Sequence, residues 1–253
     1  MNKSDYSACH YGERANDYVS SKVHSEGPDL AAIERQVVAR KFGRVLDIGC
    51  GGGHVSYCVA PHVGEVVACD VTQQMLTSVS QEAKNRGLSN VSTVQSPAEK
   101  LPFADGEFDA VFCRFTTHHW SDAVAGLREA KRVLAPSGLA IFIDVTAPVS
   151  PLYDSWLQTL ELLRDVCHCR DFSVAEWATL LAGAGFALRE ASTHRLPLEF
   201  QSWIARTKTP EERVAAIRSL QKCAPSDVTA YFSIQSDGSF EIDVTTFIVE
   251  PVV

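Results

Sequence analysis

Short apolar, β-branched runs recur between residues 45 and 143, at 45–48, 66–69, 91–94, 110–113 and 139–143. Runs that stay apolar instead of alternating with polar residues predict strands buried on both faces. The spacers between them are long enough for crossover helices. After the second run, Thr72 is placed to cap a helix with Met75, Leu76, Val79 and Ala83 on its apolar face and Gly87 at its end. After the fourth, Ser121 is the expected cap of a helix carrying Val124, Leu127, Val133 and Leu134, stopped by Pro136 and Gly138. Strand and helix repeated in this order predict a doubly wound α/β fold, with a parallel sheet covered on both sides.

The flanks read differently. Residues 1–28 are polar, rich in Tyr, Ser and His, and end at the Gly27-Pro28 break, which predicts an N-terminal arm. Asp29 is a suitable N-cap for a helix with Leu30, Ile33, Val37 and Val38 at helical spacing. Beyond residue 143 the pattern is mainly helical. Ser173 and Glu176 form one capping box, Thr209 and Glu212 a second ahead of Val214, Ile217 and Leu220, and a closing strand is expected over 240–249 after a turn at 236–238. With no repeat and no linker, residues 29–253 are expected to form a single domain.

Charge narrows the list of partners. The chain has 253 residues, 31 acidic against 23 basic, for a net charge of −8, and no block of Lys or Arg. That balance argues against a nucleic-acid partner. No apolar run approaches the roughly 18 residues needed to span a bilayer, and the first residues lack the apolar core of a signal peptide, so no membrane span and a cytoplasmic location are expected. Oligomeric state is undetermined. The eight cysteines are scattered, four of them in or beside apolar runs, which suggests reduced thiols acting as small hydrophobes.

The most informative segment is V-L-D-I-G-C-G-G-G, residues 45–53, where a strand delivers the chain into four glycines within five positions. Glycines tolerate positive φ and let a ligand approach the backbone. In a doubly wound sheet such a loop lies at the ligand-binding end of the strands. The second strand ends in Asp70, placed to accept hydrogen bonds from ribose hydroxyls or, alternatively, to cap the next helix. The loop departs from the G-x-G-x-x-G dinucleotide pattern, because His54 stands where the third glycine would be. Asp47, two residues before the first glycine, would repel a pyrophosphate and attract a positive amino group. S-adenosylmethionine meets these demands.

Residues 45–53 resemble the first motif of class I S-adenosylmethionine-dependent methyltransferases. Three further segments agree. Residues 96–103, S-P-A-E-K-L-P-F, resemble the family's adenine-side loop; residues 113–120, C-R-F-T-T-H-H-W, resemble the branch of the ubiquinone and menaquinone C-methyltransferases; and residues 128–139 match the passage into the fifth strand. The resemblance covers about residues 40–145, the expected cofactor half, and leaves 146–253 for the acceptor pocket and closing strands. It implies a Rossmann-like sheet of seven mostly parallel strands. It further implies that Gly49, Cys50, Gly51 and Gly53 close on the methionine part, Asp47 meets its amino group and Asp70 the ribose, and Val71 and Met75 pack on adenine. Ala98 would meet the adenine edge with Glu99 nearby, and Arg114 and Phe115 would lie beneath the sulfonium. Pro97 departs from the acid that many relatives carry there, which leaves adenine recognition to backbone groups. Tyr18 and His24 in the arm are candidates for closing the site; the alternative is a frayed terminus.

The function implied is methyl transfer to a small-molecule acceptor. A base is needed only if that acceptor loses a proton, and His118 and His119 are the candidates; the alternative is that they orient the loop and cap the next helix. Cys167-His168-Cys169 lacks the spacing and partners of a structural zinc site, so no metal is expected. Tyr153, Trp156, Trp177, Phe200 and Trp203 lie in the region expected to roof the acceptor pocket. Two other readings share the first motif: a non-catalytic cofactor-binding module and a nicotinamide-dependent oxidoreductase.

Overall fold

A computed structural model describes residues 27–252. Seven strands form one sheet: β1 (Arg44–Ile48), β2 (Glu65–Asp70), β3 (Val91–Gln95), β4 (Phe108–Arg114), β5 (Leu134–Val145), β6 (Phe186–Leu198) and β7 (Phe240–Pro251). Their order is β3-β2-β1-β4-β5-β7-β6. β1 pairs in parallel with both β2 and β4, while β7 runs antiparallel to β5 and β6. The strand order therefore reverses between β1 and β4, the topological switch point at which ligands enter such sheets.

The helices are α1 (Pro28–Arg40), α2 (His54–Val59), α3 (Gln73–Asn85), α4 (Ala123–Val133), α5 (Pro151–Arg164), α6 (Val174–Gly183), α7 (Phe200–Arg206), α8 (Glu211–Lys222) and α9 (Ser226–Tyr231). Alternate residues of β1 face opposite layers. Leu46 and Ile48 pack with Leu127 and Val133 of α4 and Trp177 and Leu181 of α6. Val45 packs on the other side with Ile33 and Val37 of α1 and Val55 and Val59 of α2, and Leu76 and Val79 of α3 close over Ala68. Each fully buried side chain of this kind contributes roughly 1.5–3 kcal/mol. A third core joins α5, α7, α8 and α9 to Val145, Phe240 and Ile242, at the end of the sheet where the parallel strands finish.

Several local expectations are corrected. Asp29 does not cap α1: Gly27 is the N-cap, and the buried Asp29 side chain instead pairs with Arg114. The cap of α4 is Asp122, which accepts from the Ala125 N–H at 2.9 Å, while Ser121 donates its own N–H to Glu99. Leu134 lies in β5, not in α4. Thr209 does not form a capping box; Pro210 is the N-cap of α8, and the Thr209 hydroxyl bonds Thr207 and the Arg164 carbonyl. The Ser173–Glu176 box is formed as expected. Val38 and Leu220, assigned to apolar faces, are exposed, as are Cys169 and Cys223, whereas Cys50, Cys69, Cys113 and Cys167 are buried. Trp177 does not roof a pocket; it stacks on Phe247 in the sheet core, with ring centroids 5.0 Å apart. β6 is absent from the sequence reading altogether. As an edge strand its middle is largely exposed and polar, with Arg189, Glu190 and Ser192, so neither an apolar run nor a clean alternation marks it.

Candidate functional site

A cavity opens where β1, β2 and β4 end. Three glycines shape its rim: Gly49, Gly51 and Gly53 take φ of 67°, 49° and 82°, the left-handed region that glycine adopts without steric cost. The Cys50 N–H donates to the Cys69 carbonyl at 2.9 Å and ties the loop to β2. Asp70 reinforces the tie, accepting from the Gly51 N–H at 3.0 Å on one oxygen and from the Thr72 N–H at 2.8 Å on the other.

The glycines differ in what they face. A Cβ on Gly49 would strike the Thr116 side chain, and one on Gly53 would stand 2.6 Å from the Tyr57 ring. Around a Cβ on Gly51 there would be no atom within 4 Å. Gly51 is thus the point at which the loop presents bare backbone to open space.

Asp47 is 1% exposed, and its Oδ2 accepts both the Ser56 N–H at 3.1 Å and the Ser56 hydroxyl at 2.7 Å. Burial pushes its carboxyl up to about 6, against the Ser56 hydrogen bonds, with the Asp70 charge adding to the rise. Burial also raises Asp70, partly offset by the N–H groups of Thr72 and Gly51. Two carboxylates held near one opening, at least one close to neutrality, form a site that a cation relieves.

The opposite wall comes from the ends of β3 and β4. Glu99 accepts from the Ser121 and Asp122 N–H groups at 2.9 and 3.3 Å, which pins the start of α4 beside Ala98. Phe115 has φ 55°, unusual for a bulky residue, and donates its N–H to the Ile143 carbonyl. Arg114 lies over the Phe115 ring, 4.6 Å from its centroid.

The chain then turns through a 3-10 segment, Thr117–His119. His119 lines the cavity. Its Nδ1 meets the Cys167 carbonyl at 3.2 Å and must donate there, which leaves Nε2 as the acceptor of a neutral ring. Burial and the neighbouring His118 hold it well below the usual histidine range. His118 does not line the cavity. Its Nδ1 is 2.5 Å from Asp144 Oδ1, and its backbone N–H donates to Asp144 Oδ2 at 3.2 Å. Burial opposes charge on this ring, but Asp144 outweighs it and raises the group to about 9. The Cys167-His168-Cys169 segment packs against the same turn, with the Cys169 N–H donating to the His118 carbonyl at 2.7 Å.

The chain is similar in sequence and fold to known proteins. The chain matches the model of the methyltransferase domain over residues 46–142. It is 45% identical to the uncharacterized protein YafE of Escherichia coli over 196 residues, covering 78% of this chain and 95% of that protein, and 36% identical to the uncharacterized methyltransferase YcgJ of Bacillus subtilis over 203 residues, 80% of each. The chain belongs to the class I methyltransferases. The crystal structure of YcgJ superposes with a TM-score of 0.84 at 32% identity, covering 89% of this chain and 98% of that one. The demethylmenaquinone methyltransferase of Staphylococcus carnosus is 31% identical over 149 residues, 58% of this chain and 60% of that protein.

S-adenosylmethionine is the cofactor of this methyltransferase, and membership in the family removes the nicotinamide alternative. The residues present fit the cofactor: the open backbone at Gly51 receives a ligand without a Cβ in the way, and the buried Asp47 carboxyl favours an ammonium over a phosphate. Of the residues singled out from sequence, Asp47, Gly49, Cys50, Gly51, Asp70, Val71, Met75, Ala98, Glu99, Arg114, Phe115 and His119 line the cavity of the methyltransferase. Gly53 does not, and instead admits the Tyr57 ring. Tyr18 and His24 lie outside the described residues. Gly52, His54, Val55, Thr72, Ser96, Thr116, Trp120 and Ser121 also line it and were not assigned to it. Thr72 and Ser121 carried a usable signal, because a residue expected to cap a helix just after a parallel strand stands at the ligand end of the sheet.

Proposed function

We propose that this methyltransferase moves a methyl group to a small-molecule acceptor, and that Asp47 and Asp70 on either side of the Gly51 backbone orient the cofactor for that step. The observation that carries this reading is one cavity lined by the open backbone of Gly51, by the buried Asp47 carboxyl raised to about 6, and by the Asp70 carboxyl that accepts the Gly51 N–H.

S-adenosylmethionine supplies an electrophilic methyl on its sulfonium, so the protein's contribution is orientation and exclusion of water. Asp47 holds the amino group, and the backbone of Gly49, Cys50 and Gly51 closes around the methionine portion. Asp70 accepts from the ribose hydroxyls with the lone pairs that Gly51 and Thr72 leave available. Val71 and Met75 pack on the adenine, whose edge meets the Ala98 backbone, with Glu99 fixing that wall through Ser121. Arg114 and Phe115 shape the side nearest the transferred group. His119, neutral with Nε2 as acceptor, takes a proton from an acceptor that must lose one. His118, tied to Asp144, holds the turn on which His119 stands.

The reading of the acceptor as a small molecule is supported by a cavity whose lining includes the aromatic residues Phe115 and Trp120 and by the demethylmenaquinone methyltransferase among the relatives. Release of S-adenosylhomocysteine over a panel of phenolic, quinone-like and carboxylate acceptors tests it. Turnover with at least one acceptor is expected. Tight S-adenosylhomocysteine binding without turnover on any of them would instead identify a non-catalytic binding module.

A further inference from the structure

The only group of metal-ligating type among the described residues lies behind the cavity wall. His118, Asp144 and Asp171 each offer one ligand atom, all within 4.8 Å of one another. They come from three separate stretches of chain: the turn after β4, the end of β5, and the segment between α5 and α6. Asp144 and Asp171 are each 1% exposed.

Asp144 is already oriented, with Val145 donating its N–H to Oδ1 at 2.9 Å and the His118 N–H reaching Oδ2. Asp171 is not. Gln158 holds its backbone N–H and carbonyl, at 3.1 and 2.7 Å, yet the buried side-chain Oδ2 accepts no hydrogen bond among the described residues; His168 Nε2 stands 3.9 Å from it, beyond hydrogen-bond reach. A buried carboxyl oxygen without a partner costs free energy on the order of kcal/mol. A proton on it does not remove the cost, because the resulting O–H needs an acceptor in turn. A cation between Asp171 and the other two groups does.

We propose that His118, Asp144 and Asp171 bind a first-row divalent cation, separately from the cofactor cavity. One imidazole and two carboxylates suit such an ion, and Mn2+ and Zn2+ are the natural probes. Two carboxylates with a neutral imidazole carry a charge of −2, which the ion cancels. His118 ligates as a neutral ring, so binding releases a proton wherever the ring was charged. The bound ion fastens the Thr117–His119 turn to β5 and to the α5–α6 segment, and so fixes the wall that carries His119.

The test uses the full chain, purified without a metal-binding tag, stripped with EDTA and titrated with MnCl2 or ZnCl2. Loss of the free Mn2+ electron-resonance signal and elemental analysis give the stoichiometry, with and without saturating S-adenosylhomocysteine. One ion per chain is expected, bound equally well with S-adenosylhomocysteine present. Asp171→Asn, shown to be folded by circular dichroism, is expected to weaken binding more than about 100-fold, beyond the loss that an outer-shell partner gives. If Asp171→Asn does not fold, Asp144→Asn serves for the same comparison. The proposal is overturned by absence of stoichiometric binding to wild type, by unchanged binding to a folded variant, or by displacement of the ion by S-adenosylhomocysteine, which would place it at Asp47 and Asp70.

Discussion

Arg114, the last residue of β4, donates its Nε–H to Asp29 in the first turn of α1, and both side chains are almost wholly buried, at 4% and 2% exposure. The pair ties the cavity wall to the helix that follows the N-terminal segment. Removing one partner of a buried ion pair takes a compensating charge away from the other in a low-dielectric interior. Asp29→Asn is expected to lower stability by roughly 3–5 kcal/mol in urea denaturation. It is also expected to weaken S-adenosylhomocysteine affinity, since Arg114 lines the cavity. A stability loss under about 1 kcal/mol would mean that the pair is not the anchor described.

Asp47 makes cofactor binding depend on pH. Its carboxyl is raised to about 6 in the folded protein, whereas an unfolded carboxyl ionises near about 4. The stability linked to this group is therefore complete below about pH 4 and is lost as pH rises through about 6, by roughly 3 kcal/mol. A positive amino group beside Asp47 reverses that loss. The gain in melting temperature from S-adenosylmethionine is expected to be larger near pH 7.5 than near pH 5, and Asp47→Asn is expected to flatten the difference. A gain that is greater at pH 5 in wild type would contradict the assignment.

The loop glycines should separate folding from binding. Gly49→Ala drives a Cβ into Thr116 and adds a left-handed Ala, so a lower melting temperature is expected. Gly51→Ala meets no protein atom and carries only the backbone cost, about 1–2 kcal/mol. It is expected to cost more in S-adenosylhomocysteine affinity than Gly49→Ala does, relative to the stability each loses. Calorimetric titration alongside thermal denaturation of both variants checks this.

His119→Ala, assayed with whichever acceptor the panel finds, is expected to lower kcat by about 10²–10⁴-fold if the acceptor must lose a proton. S-adenosylhomocysteine affinity should change by less than about tenfold. A loss confined to cofactor affinity would make His119 a wall residue only.

How much the chain discloses of this depends on where each residue does its work. Asp47, Asp70 and the glycines were readable because strand ends and loops constrain short stretches of sequence. The central strands β2, β4 and β5 were readable because burial on both faces leaves a largely apolar run, whereas the edge strand β3, half exposed with Ser92 and Thr93 inside it, differs from the expectation of a strand buried on both faces. The partners of Arg114 and His118 were not: Asp29 is 85 residues from one, and Asp144 is 26 residues from the other. Such pairings depend on the registration of α1 and β5 against β4, which no local pattern encodes. Asp29 carried a misleading signal besides, since an acid ahead of an apolar helix reads as a cap. β6 was hidden because an edge strand with an exposed polar middle has no apolar period to show.

In the function proposed for this chain, Asp47 and Asp70 hold S-adenosylmethionine against the Gly51 backbone. Calorimetric titration of the full chain with S-adenosylmethionine, S-adenosylhomocysteine and NAD, repeated on Asp47→Asn and Asp70→Asn, tests it most directly. One site per chain is expected for the first two ligands, none for NAD, and at least about a tenfold loss of affinity in each variant. Binding of NAD alone, or full S-adenosylmethionine affinity in both variants, would contradict it.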